Sequence, residues 1–247
     1  MILLALESAT VEVGAAFAGE GGVLATFTTR PGRRHVETLH SAVSSAAALA
    51  SVPLDEVGAI AVDVGPGLFT GIRVGIAAAK GFALALGVPT IGCTSLEVLA
   101  HAARWCGPGA VPVVDMRRGE VAWQAGGGVR VGGIEALAAE LATLGPPALL
   151  VGDGARRHRA AIVDAVAALG GPPPRIAGDE LGAPPVASLA DLGLRRLQEG
   201  RTVTAEELEA AYLRAPDARI HWVSRPEVVT ETGPGVPADA ARGATFQ

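Results

Sequence analysis

Cysteine is almost absent: Cys93 and Cys106 are the only two in 247 residues. Their separation matches no metal or redox spacing, which argues against a disulfide framework. Lysine is scarcer still. Lys80 stands alone while arginine is plentiful, and with abundant Ala, Gly, Val and Pro this reads as genomic bias rather than function. Positive charge is also short overall. The formal net charge of −5 argues against the chain gripping a nucleic acid by itself, because non-specific affinity comes mostly from neutralised phosphates. Arg33–Arg34, Arg117–Arg118, Arg156–Arg157–Arg159 and Arg195–Arg196 are local basic spots, but runs this short usually lie on solvated surface. A nucleic-acid role therefore requires a partner.

The usual chemical motifs are missing too. No serine sits in a G-x-S-x-G elbow, and neither cysteine has a catalytic context. His35 and His40 are five apart and miss the i, i+4 spacing of zinc helices, while His101, His158 and His221 have no ligand candidates near them in sequence. A Walker A loop is absent, since Gly71 is followed by Ile72 and Arg73; Gly65, Gly67 and Gly71 miss the dinucleotide fingerprint by one residue. No catalytic or metal-binding residue is expected. There is no basic n-region, and Arg73 and Lys80 interrupt the longest apolar helix candidate, so a soluble cytoplasmic chain off the membrane is expected.

What is present is ample apolar content, 49%, for a core, and one distinctive stretch, Asp63 to Lys80, DVGPGLFTGIRVGIAAAK. An apolar run, Ala59 to Val64, empties into Gly65, Pro66 and Gly67, which suit a sharp turn in which Gly67 takes positive φ. Thr70 is positioned to cap a helix from Gly71 to Leu86, stopped by Gly87 and Pro89. Such a helix start offers donors to an anion; the alternative is a tight strand-to-helix turn with no ligand. Gly71, Gly75, Ala79 and Ala83 recur every four residues and make a smooth stripe where another backbone can lie close.

The rest of the chain reads as two units. Ile2 to Leu6, Val11 to Ala18 and Val23 to Thr29 are strands with hairpin-length loops, followed by a helix from His35 to Ala50, the Ala59–Val64 strand, the glycine-turn helix, a strand from Thr90 to Cys93 and a helix capped by Thr94 or Ser95. After Gly107, Pro108 and Gly109 come strands at Val111–Asp115, Glu120–Gln124 and Val129–Val131, a helix over Ile134–Leu144, a strand at Ala148–Val151 and a helix over Ala155–Leu169. Helices over Val186–Gln198 and Ala205–Tyr212 follow. Two βββαβα units in tandem describe an α/β fold of duplicated ribonuclease-H-like lobes, each with a mixed sheet, as in the actin-like ATPase and sugar-kinase architecture. The expected divisions are residues 1–106 and 107–222, with residues 223–247 a disordered tail. In such a fold Glu7 and Asp115 close the first strand of each lobe, which suits Mg²⁺ or phosphate positioning or plain turn chemistry beside Ser8 and Thr10. Gly152 and Gly154, after a strand and opening a helix, suit a nucleotide-contacting turn.

These segments together resemble the TsaB (YeaZ) family of tRNA threonylcarbamoyladenosine synthesis. The resemblance rests on LLALESAT, RRHVETLHSAV, DVGPGLFTGIRVGIAAAKGFALALGVP, VVDMRRGEVAW, VGDGA and AAYLRAPDA, and covers about residues 1 to 216. It implies a non-catalytic partner of the TsaD subunit, helped by the ATPase TsaE, in placing a threonylcarbamoyl group on N6 of adenosine 37 in tRNAs reading codons that begin with A. It further implies a partner surface on the first two helices, here His35–Ala50 with His35 and His40, and Gly71–Leu86 with Gly71, Gly75, Ala79 and Ala83. That surface serves a homodimer when TsaD is missing. tRNA contact and any ATP or Mg²⁺ are implied only for the complex. The metal-binding H-x-x-x-H of TsaD is replaced here by Gly92-Cys93-Thr94-Ser95-Leu96-Glu97-Val98. Glu7-Ser8-Ala9-Thr10 departs from the family's D-T-S-T, which weakens independent ATP binding. The alternative is an autonomous ATP-dependent small-molecule kinase of the same architecture, against which stand Glu7 and the loose Asp115-x-x-x-Gly119.

Overall fold

The computed structural model describes residues 1–30, 35–107, 109–144 and 148–213; the side chains of residues 35 and 36, and the tail expected over residues 223–247, lie outside the described residues. In the first lobe, β1 (Ile2–Glu7), β2 (Val13–Gly19) and β3 (Gly22–Thr29) form an antiparallel meander, and β4 (Val57–Asp63) and β5 (Thr90–Cys93) add in parallel on the other side of β1. The sheet order is β3-β2-β1-β4-β5. The second lobe repeats this order with β6 (Ala110–Asp115), β7 (Glu120–Gln124), β8 (Val129–Gly133), β9 (Leu149–Val151) and β10 (Arg175–Ile176). The two-residue β10, which follows the proline run at 172–174, is a fifth strand beyond the four that the sequence pattern predicts for the second unit, and it completes the duplication. The fold is a duplicated ribonuclease-H-like, actin-like α/β architecture.

Helices cover the sheets in a crossed arrangement. Helices α1 (His35–Ala50) and α2 (Phe69–Leu86) lie on one face of the first sheet. Helices α4 (Ile134–Thr143) and α6 (Arg159–Ala168) lie on the corresponding face of the second. The remaining two faces exchange partners. Helix α3 (Ser95–Ala102), from the first half of the chain, buries Leu96 and Leu99 against Val114, Ala122 and Val151 of the second sheet. Helix α7 (Val186–Gln198), from the second half, buries Val186, Leu189 and Ala190 against Leu3, Ala16 and Ala61 of the first. A cut at residue 106 therefore separates the sheets but parts both α3 and α7 from the sheets they cover.

Three local expectations change. The segment over Ala155–Leu169 is broken at His158 into α5 (Asp153–Arg157) and α6. Residues 205–212 are not a helix: one turn opens with a reciprocal Thr204–Glu207 cap, then the Ala211 N–H goes to the Val64 carbonyl, 2.9 Å, and the chain runs on as a strap. Val203 pairs with Thr90, and Ala205 and Leu208 are buried in the first-lobe core. Tertiary contacts override good helix formers here. Helix α2 begins at Phe69 with Leu68 at its cap, so Thr70 is not the capping residue.

The stripe of small residues points inward. Gly71, Gly75, Ala79 and Ala83 are all buried, and a Cβ on Gly75 would lie 2.7 Å from Ser8 Oγ and 3.3 Å from Val62 Cγ2. The close approach they permit is between α2 and its own sheet, so they are not a surface for a partner. Helix α2 is long and apolar enough to cross a membrane by length and composition, yet this stripe makes it the wall of a lobe. Gly75→Leu or Ala79→Trp should overpack the core and cost roughly 1–3 kcal/mol, read as a drop in the midpoint of denaturant unfolding. Wild-type stability in both would put the stripe back on the surface.

Candidate functional site

The sequence-selected groups converge on two places, the ends of β1 and β4 in the first lobe and the end of β6 in the second. Glu7 closes β1 and Asp63 closes its parallel neighbour β4, and both are 1% exposed. Glu7 Oε1 accepts from the Ala9 N–H at 3.0 Å and from Thr10 Oγ1 at 3.4 Å. Asp63 Oδ1 accepts from the Gly65 N–H at 2.8 Å and from Ser95 Oγ at 2.7 Å. Burial pushes the Glu7 carboxyl well above its usual range, helped by the charge of Asp63; burial likewise raises Asp63 to about 6. Of the two readings of Glu7, turn chemistry is the one its hydrogen bonds fit.

The glycine loop is zipped onto this pair. Gly65 carries the positive φ, +94°, not Gly67. Gly67 is required for a different reason: a Cβ there would sit 2.0 Å from the Ala9 carbonyl oxygen. Beside it the Leu68 N–H donates to that same oxygen at 2.6 Å, and Ser8 Oγ donates to the Gly71 carbonyl at 2.9 Å. The N–H groups of Gly65 and Leu68, which an anion-binding loop would present outward, are engaged inside the fold. Of the residues proposed for nucleotide or anion contact, Glu7, Gly65, Gly67 and Thr70 thus gather at one place, as parts of a strand-to-helix turn.

In the second lobe Asp115 is 3% exposed and heavily partnered. Its Oδ1 accepts from the Arg117 N–H at 3.0 Å and faces His158 Nε2 at 3.5 Å; its Oδ2 meets Arg117 Nη1 at 3.2 Å and Arg157 Nε at 3.4 Å. Its own N–H donates to Asp153 Oδ1, 3.0 Å, and burial pushes the Asp153 carboxyl up to about 6. A carboxylate so surrounded by guanidinium groups orders the β6–β7 turn, where Arg117 and Arg118 hold φ of 64° and 55°. Gly152 and Gly154 are glycines because of backbone approach, since a Cβ would lie 2.4 Å from the Val113 carbonyl oxygen at the first and 2.8 Å from the Val114 carbonyl carbon at the second. The Gly152 N–H already donates to the Leu181 carbonyl at 2.7 Å.

The surface feature that sequence reasoning missed is the outer side of α2. Ala77, Gly81 and Ala85 repeat every four residues on its exposed face. Between α2 and α1 lies an apolar groove of about 350 Å³, lined by Leu39, Val43, Val74, Ala78 and Phe82, with exposed His40 among its lining residues. On the strap side, the Arg73 guanidinium stacks 3.7 Å above the Phe69 ring and donates from Nε to Tyr212 Oη at 3.1 Å. The available signal was charge: Arg73 and Lys80 lie four before and three after Ala77, on the same helical face. Gly67→Ala should cost roughly 1–3 kcal/mol through its clash with Ala9, whereas Gly21→Ala, with open space around its Cβ, should stay within about 0.5 kcal/mol of wild type. Equal unfolding midpoints for the two would refute the close-approach account of the loop.

Comparison with known proteins agrees with this arrangement. Residues 12–165 match the family model of TsaD, tRNA N6-adenosine threonylcarbamoyltransferase. Over 126 residues the chain is 36% identical to the tRNA threonylcarbamoyladenosine biosynthesis protein TsaB of Escherichia coli, covering 50% of this chain and 54% of that one. It is 32% identical over 121 residues to the protein of the same name from Bacillus subtilis, covering 49% and 53%. The chain thus spans about half the length of these curated relatives. The solved structure of YeaZ from Pseudomonas aeruginosa superposes with a TM-score of 0.71 at 26% identity, over 86% of this chain and 99% of that one. The chain belongs to the TsaD-related family, in its TsaB/YeaZ branch of the actin-like ATPase superfamily.

Proposed function

We propose that this chain is an accessory subunit of tRNA threonylcarbamoyladenosine synthesis that docks on the TsaD catalytic subunit through α1 and α2. The observation that carries this reading is the uncovered side of α2. Its inner stripe is buried, yet Leu84 on the outer side is 64% exposed, and the neighbouring groove with α1 is apolar. Concentrated apolar surface of this kind marks an interaction site. Ala77, Gly81 and Ala85 allow a partner helix to approach closely, by the packing logic of small residues four apart. The same face serves a homodimer when TsaD is missing.

TsaE assists the complex in the cytoplasm, tRNA meets this chain only within it, and the group placed on N6 of adenosine 37 is handled by TsaD. ATP and Mg²⁺ belong to the complex, because Asp115 and the loop donors Gly65 and Leu68 are already engaged in the fold. No observation favours an autonomous kinase.

Co-purification with TsaD is the primary test. Gly81→Ala should bind TsaD and gain roughly 0.5–1 kcal/mol of stability, since a Cβ there meets nothing and alanine is the better helix former. Ala77→Trp and Gly81→Trp should melt like wild type yet weaken TsaD binding about tenfold or more, which is about 1.4 kcal/mol. Folded tryptophan variants that bind TsaD normally would remove this face from the interface.

A further inference from the structure

We propose that Glu7 and Asp63 share a single proton, carried on Glu7, and that this proton positions the first turn of α2. Two oxygens lead to it. Among the described residues neither Glu7 Oε2 nor Asp63 Oδ2, both fully buried, has a hydrogen-bond partner, and the two carboxyl groups follow the paired Leu6 and Val62 at the ends of neighbouring parallel strands. An ionised carboxylate only accepts, so two anions here would be like charges in contact with nothing between them. One proton between Oε2 and Oδ2 satisfies both atoms and removes one of the charges. Asp63 keeps the anion because its Oδ1 has the closer partners, the Gly65 N–H at 2.8 Å and the Ser95 hydroxyl, shared with the Pro66 carbonyl, at 2.7 Å, against 3.0 and 3.4 Å for the donors to Glu7 Oε1.

Among the described residues no other charge at the site substitutes for that proton. From β5 comes Cys93, whose thiol burial pushes up to about 12, so it stays neutral. From α3 comes Glu97; burial works against its charge, but the bonds from Thr94 and the Arg196 guanidinium hold it below the usual carboxylate range. From α7 comes Arg196, engaged with Glu97 and with the Gly92 carbonyl. The buried residues of α2, Gly71, Ile72 and Gly75, carry no charge.

The link to α2 runs both ways around the loop. Glu7 Oε1 fixes Ala9, whose carbonyl accepts from Leu68, the cap of α2. Asp63 Oδ1 fixes Gly65 on the other side. Removing the proton sets two like charges between these anchors and loosens the turn.

The sign follows from linkage. Glu7 in the unfolded chain titrates near 4.3, and the folded chain keeps its proton to higher pH. The stabilisation is complete below the unfolded value and falls as pH rises towards the folded one, with the unfolding constant growing about tenfold per pH unit while one proton is retained. Asp63 adds its share between roughly pH 4 and about 6. In Glu7→Gln the side-chain amide donates permanently to Asp63 Oδ2, so the variant lacks the Glu7 part of that slope.

The experiment compares urea unfolding of wild type and Glu7→Gln across pH 5 to 9, with TsaD binding measured over the same range. An infrared difference spectrum of the wild type, with and without Glu7→Gln, reads the protonated carboxyl directly and needs no stability comparison. Expected are a steeper loss of stability with pH in wild type, a protonated carboxyl band at neutral pH that the variant lacks, and TsaD affinity that weakens with pH in wild type only. Parallel pH slopes, or a missing band, would overturn the shared proton. A band with pH-independent TsaD affinity would overturn the positioning role. The positioning part rests on docking to TsaD, so wild type that never binds TsaD at any pH, while keeping the band, would refute that docking instead.

Discussion

The Arg196 guanidinium joins the two halves of the chain. It donates from Nη1 to the Gly92 carbonyl on β5 at 2.6 Å and from Nη2 to Glu97 on α3, and it is 7% exposed. Because α3 covers the second sheet and α7 covers the first, a bond between these helices is a bond between lobes. His101 of α3 and Arg104 just beyond its end add to it by meeting Asp191 of α7, at 2.6 and 3.1 Å. Each sheet is closed by a helix from the other half, so neither half buries its own sheet alone. The seam also reaches the loop that starts α2, since the Ser95 N–H donates to the Gly65 carbonyl at 2.9 Å. The start of α2 is therefore tied to the seam between the lobes.

Element order, the hairpin at Arg117–Gly119 and the duplication were legible in the sequence because alternation and glycine punctuation are local signals. The crossed packing of α3 and α7 was not, because amphipathicity states that a helix has a buried face and leaves the covering sheet unnamed. The 205–212 segment failed for a related reason. Its composition favours helix, and its first turn does form with a reciprocal cap, but burying Ala205 and Leu208 under α2 diverts the rest.

The site was legible in residue choice more than in role. Helix α2 carries two interleaved series of small residues, at 71, 75, 79 and 83 and at 77, 81 and 85, and spacing alone assigns neither to the core. Contact with Ser8 and Val62 decides for the first series. Gly67 was recognised as obligatory, but its reason is the Ala9 carbonyl and not backbone handedness, a contact between residues nearly sixty apart that no local rule encodes. Asp63 lies in the most distinctive stretch, yet a carboxylate ending a strand looks ordinary in sequence until its neighbour on the parallel strand is seen to be a carboxylate too.

The stretch from Gly92 to Val98 is closed by its own side chains. Thr94 accepts from the Glu97 N–H while Glu97 reaches back to the Thr94 N–H and hydroxyl. Ser95 bonds Asp63, and Glu97 also receives Arg196. Each polar side chain of the segment is engaged in holding the N-terminus of α3 against β4, β5 and α7. A ligand must be presented with its lone pairs free, whereas a brace requires them occupied. The hydrogen bonds of this stretch serve the brace.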